Sequence, residues 1–293
     1  MQPRVTIGFP VYNGEAFLEE ALQSVLSQSF EDFELLIADN ASTDRTPAIC
    51  EAVAGADARV RYVRHKTNIG ASPNFNFVIN QAHGDYFRVA HHDDVLEPGC
   101  LEACVSVLDS SPEVVLAFTQ SVTIDQEGKV LPRDRSLPYQ LLQTRPSERF
   151  DFSLSTFLFK RREGMLNAVF GLMRTLDLVA TGGVGSYMHG DHILLSQMAL
   201  RGFFMEFPET LFRRRDHPDR SMRVHQHSNI TDWIDPIGGK AAHNSLIFRE
   251  FLAAIRRAPI VPSEKIRATR ILATRFSQFY AMRLGIGSPR NGH

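Results

Sequence analysis

The first third of the chain alternates short apolar runs with amphipathic stretches. Arg4–Pro10 is an apolar run that ends in Pro-Val-Tyr-Asn-Gly, a strand entering a loop. Glu15–Ser27 sets Phe17, Leu18, Ala21, Leu22, Val25 and Leu26 at helical spacing. Phe33–Ala38 is a second apolar run, stopped by the polar cluster Asp39-Asn-Ala-Ser-Thr-Asp44, after which Thr46-Pro47 opens a helix through Cys50 and Val53. Val60–Val63 reads as a third strand, Asn68-Ile-Gly70 as a turn and Asn74–Gln81 as a helix. Tyr86–Ala90 is a fourth strand. It delivers His91, His92, Asp93 and Asp94 at its carboxyl end, and Pro98 then lets a helix begin near Gly99. Strands and helices in this order predict an α/β fold: a mostly parallel sheet with helices on its faces.

The pattern loosens afterwards. Val114–Asp125 predicts another strand, and the charged, proline-containing stretch Leu131–Arg149 a long irregular excursion. Phe170–Arg174 predicts a strand, Ile193–Ala199 a helix, and Phe203–Phe207 and Leu211–Arg215 two further strands. Beyond Asp232 the spacing is helical, through Ala241–Arg257 and Ser263–Leu284, with a frayed end at Gly285–His293.

Composition narrows the function classes. At 293 residues the chain is long enough for one large domain or two intimate ones. A formal net charge of −1 lacks the basic footprint of a nucleic-acid binder. No stretch approaches the ~20 apolar residues of a membrane span, and the N-terminus shows no signal-peptide pattern. Three cysteines, Cys50, Cys100 and Cys104, read as buried small hydrophobes in a reducing, cytoplasmic setting.

Polar residues gather where each early strand ends: Tyr12 and Asn13, then Asp39 and Asp44, then Asn68, then Asp93 and Asp94. Turn chemistry explains each cluster alone. In a parallel sheet all of them fall on one edge, where α/β folds bind ligands. Adjacent carboxylates repel unless a cation or hydrogen-bond donors intervene, and a divalent metal carrying a diphosphate meets that need. The glycine-rich dinucleotide and P-loop fingerprints are missing from the sequence. A metal or side chains must then neutralise phosphate.

The motifs Phe9-Pro-Val-Tyr-Asn-Gly, Asp39-Asn-Ala-Ser-Thr-Asp44, Asn68-Ile-Gly70, Gly84-Asp-Tyr-Phe87, His92-Asp-Asp94 with Pro98, Gly190-Asp191 and Arg213–His217 stand in the order and rough spacing of the family 2 glycosyltransferases. The chain resembles that family over about residues 4–222. The resemblance implies the GT-A fold and transfer of a sugar from a nucleotide-diphosphate donor (a UDP-, TDP- or GDP-sugar) to an acceptor hydroxyl, with inversion. It implies donor contacts from Pro10, Tyr12, Asn13, Asp39, Asn68 and Asp93. Mg²⁺ or Mn²⁺ is expected at Asp94 and Asp93, with His217 a further contact. It makes Asp191 the general base. Two positions depart from the family pattern: His91 where many members carry an acid, and Gly190 where the acceptor motif usually begins with Glu. Both motivate the alternative of a nucleotide-sugar-binding protein of the same fold without transfer activity. Helix capping is the rival role for Asp191.

The expected organisation is a glycosyltransferase domain over 1–222, with a nucleotide-sugar half at about 4–125 and an acceptor half at about 126–222. A helical extension over 223–293 follows. The acceptor class stays open among glycans, lipid-linked and small molecules. Ile266, Ile271, Leu272, Phe276 and Phe279 read mainly as core. A homo-oligomer through the C-terminal helices, or peripheral association with the inner face of a membrane, is the other use for them.

Overall fold

The computed structural model describes residues 2–135, 141–159, 165–220, 230–239 and 243–284. Four parallel strands form its first half: β1 (Val5–Val11), β2 (Phe33–Asp39), β3 (Val60–Arg64) and β4 (Tyr86–Val89), in the order β3-β2-β1-β4. Between them run α1 (Leu18–Leu26), α2 (Thr46–Ala56) and α3 (Ala71–Asn80). The order follows from right-handed crossovers, each helix returning the chain to start a parallel neighbour.

Strand periodicity divides the core between the two faces of the sheet. Val5, Ile7, Phe9, Leu35 and Ile37 pack with Leu18, Leu22 and Val25 of α1. Leu36, Ala38, Phe87 and Val89 face the other way, against Val78 and Ile79 of α3. Gly8 lies where β1 meets α3. A Cβ there would sit 2.6 Å from the Phe87 ring and 2.8 Å from Val78, so only glycine allows the close approach.

The second half is mixed. β5 (Val95–Leu96) and α4 (Cys100–Ser110) precede β6 (Val114–Ile124), β7 (Val130–Arg135), α5 (Pro146–Phe159), α6 (Met165–Ala168), β8 (Leu172–Arg174), α7 (Thr175–Val179), α8 (Gly190–Arg201) and β9 (Phe203–Arg215). β8 runs antiparallel between β4 and β6, β9 lies parallel to β6, and β5 pairs antiparallel with β9 at the edge. α9 (Ile230–Ile234), α10 (Asn244–Arg257) and α11 (Pro262–Arg283) complete the described chain.

Several expectations need correction. The Leu131–Arg149 stretch is not irregular throughout: it holds most of β7, which pairs with β6, and the start of α5, with 136–140 outside the described residues. Phe203–Arg215 is one strand, continuous through Pro208, because irregular register against β6 absorbs the missing N–H. The helix expected from Ala241 begins at Asn244, and the expectation for Gly285–His293 lies outside the described residues.

The C-terminal helices do not stand apart. Ile247, Phe251 and Ile255 of α10 and Ala268, Leu272 and Phe276 of α11 share a core with Phe150 and Leu154 of α5 and Ile193 and Leu200 of α8. Cys50, Cys100 and Cys104 are buried free thiols. No helix among the described residues is long and apolar enough to cross a membrane.

Candidate functional site

The carboxyl edge of the first four strands gathers the polar clusters. Asp39 ends β2 fully buried: Oδ1 accepts the Ser42 N–H at 2.8 Å, Oδ2 accepts the Tyr62 hydroxyl at 2.8 Å, and Arg64 Nε lies 3.3 Å from Oδ2. Burial, then the Asp39 hydrogen bond, push the Tyr62 phenol well up, which keeps it a donor to the carboxylate. Arg64 is half exposed and forms the outer wall over Asp39. Asn40 ties this edge to the next loop. Its Nδ2 donates to Asn68 Oδ1 at 2.9 Å and its Oδ1 accepts the Ile69 N–H at 2.8 Å. Asn68 remains exposed. Pro10 is buried in β1, whereas Tyr12 and Asn13 are exposed at its mouth. Asn13 adopts φ 50° and its Oδ1 accepts the Thr43 N–H at 2.9 Å, joining the loops after β1 and β2.

Beyond β4 the chain turns sharply, and His91, Asp93 and Asp94 come together with one ligand atom from each within 4.8 Å of the others. A divalent ion at about 2.1 Å from each ligand needs separations of at most about 4.2 Å, a small contraction of this group. His91 is wedged edge-on between Phe75 and Phe170, at ring distances of 5.5 and 4.9 Å, and its Nε2 is buried without a hydrogen-bond partner. Burial pushes its pKa down to about 4, so the imidazole is neutral at pH 7 and able to ligate. Burial, reinforced by the charge of Asp93, pushes Asp94 up to about 8. Burial would also raise Asp93, but the nearby His92 and His91 and a hydrogen bond with His217 hold it low. One nitrogen and two carboxylates fit Mn²⁺ better than Mg²⁺, which prefers oxygen alone. His217 is buried with Nε2 3.1 Å from Asp93 Oδ2, so it abuts the group through Asp93.

Arg215 fixes this turn from beneath. It is 1% exposed, and its backbone N–H donates to Asp94 Oδ1 at 2.9 Å. Its guanidinium donates to the carbonyls of Asp93 (3.0 Å), Asp125 (3.0 Å) and Gln126 (2.8 Å), to Glu20 Oε2 (2.6 Å), and covers the Phe17 ring. The sequence gives no sign of this. A run of three arginines reads as solvated or as phosphate-binding, yet Arg213 pairs with Glu97 and Arg215 is spent on the scaffold. Arg214 and Arg220 act electrostatically on Asp94, and Arg220 belonged to no motif.

Asp191 lies in the first turn of α8, one residue inside its start, and its Oδ1 accepts the His192 N–H at 2.9 Å. His189 preceding the helix is left-handed, φ 72°, which sets the entry angle. The loop before it is stitched to the donor side: Asn76 exchanges hydrogen bonds of 2.8 Å with Val184, and Ser72 Oγ donates to Gly185 O at 3.2 Å. Beside this loop opens a pocket of about 320 Å³ whose polar walls include Ser186, Tyr187, Gln197, Glu250 and Arg257.

Comparison with known proteins supplies the context. The model of Glycosyl transferase family 2 matches residues 6–165, more than half of the chain. The putative glycosyltransferase EpsE of Bacillus subtilis is 32% identical over 135 residues, 44% of this chain and 49% of EpsE. The chain spans 14–49% of the length of the curated relatives compared. Among solved structures, TarS 1–349 of S. aureus in complex with UDP-GlcNAc aligns with a TM-score of 0.65 at 15% identity, over 95% of this chain and 74% of TarS 1–349. The mannosyltransferase PcManGT of Pyrobaculum calidifontis, in complex with GDP-Man and Mn²⁺, aligns with a TM-score of 0.55 at 17% identity, over 99% of this chain and 77% of that one.

Proposed function

The chain belongs to glycosyl transferase family 2 and has the GT-A fold, and from that premise we propose that it moves a sugar from a nucleoside-diphosphate donor to an acceptor hydroxyl, inverting the anomeric centre. The observation that carries this reading is the convergence of His91, Asp93 and Asp94 at the carboxyl edge of the parallel strands. The nucleotide lies along that edge. Tyr12 and Asn13 flank it, Asn68 offers its amide, and Asp39 reaches the base once the exposed Arg64 side chain moves aside. The domain halves divide accordingly, donor contacts before about residue 125 and acceptor contacts after it.

His91, Asp93 and Asp94 hold a divalent ion, Mn²⁺ in preference to Mg²⁺, with His217 orienting Asp93. When bound, that ion supplies charge neutralisation for a departing diphosphate. Arg214 and Arg220 add fixed positive charge on the same side. Asp191 takes the proton of the acceptor hydroxyl as its oxygen bonds to the anomeric carbon and the bond to the diphosphate breaks. General-base help of this kind contributes about 10²–10⁴-fold. The polar pocket beside the loop that precedes α8 gives a hydroxylated acceptor its hydrogen-bond partners.

Calorimetric titration with UDP, TDP, GDP and CDP, each with Mn²⁺, Mg²⁺ or EDTA, tests the donor half of this reading. One nucleotide binding tightly only with metal is the expected result. Metal-indifferent binding moves the diphosphate contact to Arg214 and Arg220, and no binding of any nucleotide ends the assignment. Release of nucleoside diphosphate, rather than pyrophosphate, on incubation with donor and acceptor identifies transfer.

A further inference from the structure

Charge is distributed very unevenly. α10 and α11 carry eight lysine and arginine side chains against two carboxylates, Glu250 and Glu264, in a chain of formal charge −1. The surplus collects at the turn between the two helices, where Arg256 and Arg257 close α10 and Lys265, Arg267 and Arg270 open α11. Glu264 is spent inward, accepting the Ser147 N–H at 3.0 Å and lying 3.3 Å from Arg267. Among the described residues no ion pair neutralises Arg256, Lys265 or Arg270. Val261, between the exposed prolines Pro259 and Pro262, and Ile266 near the start of α11 are 61% and 54% exposed. Beside them runs an open groove of about 320 Å³, lined by Arg145, which pairs with Glu148 at 3.8 Å, and by Arg267 and Arg270 with Ser147 and Ile271.

Exposed aliphatics alone are ordinary. Here they stand at a turn flanked by cations, of which Arg256, Lys265 and Arg270 make no ion pair among the described residues, and that pairing fits an anionic lipid surface. Aliphatics enter the headgroup boundary while arginines meet the phosphates around them. A second copy of the chain would set arginine against arginine across a two-fold interface. Single-stranded nucleic acid would want aromatic platforms, and the groove lining has none. We propose that this face docks the protein on an anionic membrane surface, a lipid phosphate entering the groove between Arg145, Arg267 and Arg270 and Val261 and Ile266 entering the interface. The docking stands independently of the transfer reading.

Co-sedimentation of the full chain tests it, using vesicles of phosphatidylcholine alone and vesicles with about 30% phosphatidylglycerol, at about 0.1 M salt. Partitioning is expected to be roughly tenfold or more stronger on the anionic vesicles. It should fall about tenfold in the double variant Arg267→Gln/Arg270→Gln, and likewise in Val261→Ser/Ile266→Ser. All four positions are exposed, and an unchanged melting temperature checks that both variants stay folded. Equal binding to neutral vesicles, or arginine variants that bind as well as the parent, would overturn the proposal. Binding to heparin but to neither vesicle would overturn it as well, in favour of a soluble acidic partner.

Discussion

Because burial and the charge of Asp93 push Asp94 up to about 8, the folded protein without metal holds a proton there at pH 7 that the unfolded chain has released. That proton stabilises the fold fully below about pH 4, and its contribution is lost as pH rises through about 8. Metal must displace the same proton. Mn²⁺-dependent nucleotide affinity is therefore expected to rise roughly tenfold or more between pH 6 and pH 8, which titrations at several pH values would read. A flat profile would separate Asp94 from the metal. Asp191 offers a second test. An asparagine there can still accept the His192 N–H and sit in the first turn of α8, but it cannot take a proton. Asp191→Asn should keep its melting temperature and nucleotide affinity while turnover drops about 100-fold or more. The Asp93–Asp94 pair stood out in the sequence only as one of a series of polar clusters at strand ends, since turn chemistry explains two acids there taken alone. His91 read as a departure from the family pattern, and its approach to both carboxylates shows only in the structure. Tyr62 and Arg64, which close over Asp39, were hidden because contacts between neighbouring strand ends leave no local pattern.

At the scale of elements, β9 is held to the turn after β4 through one buried side chain. Arg215 satisfies three carbonyls and Glu20 while its own N–H caps Asp94, so β9, α1 and the loop of Asp93 and Asp94 share a single fastening. Arg215→Lys keeps the charge and loses the planar fork that reaches several acceptors at once. We expect it to cost roughly 2–4 kcal/mol in urea unfolding, and to weaken metal-dependent nucleotide binding beyond that. Stability within about 0.5 kcal/mol of the parent would show the fastening to be redundant. The contrast with β1 to β4 explains what the sequence could carry. Of those strands β1, β2 and β4 are buried on both faces and read as apolar runs, while β3, at the sheet edge, is only half-buried. β5 has two residues and β7 contains Pro, Arg and Asp, so neither gives a periodic signal, and each exists because β9 or β6 supplies its hydrogen bonds. α5 was missed for a related reason: three serines and a threonine dilute its apolar stripe, although Phe150 and Leu154 are fully buried.

For the whole molecule, the decisive question is whether the last helices are an appendage or part of the catalytic body. Their core answers in terms of area. Ile247, Phe251, Ile255, Leu272 and Phe276 are all buried against α5 and α8, and burying each such side chain is worth about 1.5–3 kcal/mol. Together that rivals the 5–15 kcal/mol by which a domain of ordinary stability stays folded. Removal of these helices also uncovers Phe150, Leu154, Ile193 and Leu200, and the last two belong to the helix that carries Asp191. Arg275, which pairs with Asp151 on α5 through contacts of 2.6 and 2.7 Å, would leave its carboxylate partner unmatched at the same time. A chain ending at residue 242 is therefore expected to lose the acceptor half first. It should express insolubly or, if recovered, bind hydrophobic dye and show no transfer. The parallel strands β1 to β4, packed on α1 to α3, have a core that the deletion does not touch. A soluble truncation with the parent's melting temperature and full turnover would make residues 243–293 an accessory. Loss of turnover with metal-dependent nucleotide binding retained is the expected signature, because α10 and α11 put no buried side chain into the cores of β1 to β4 but share one with the helix that carries Asp191.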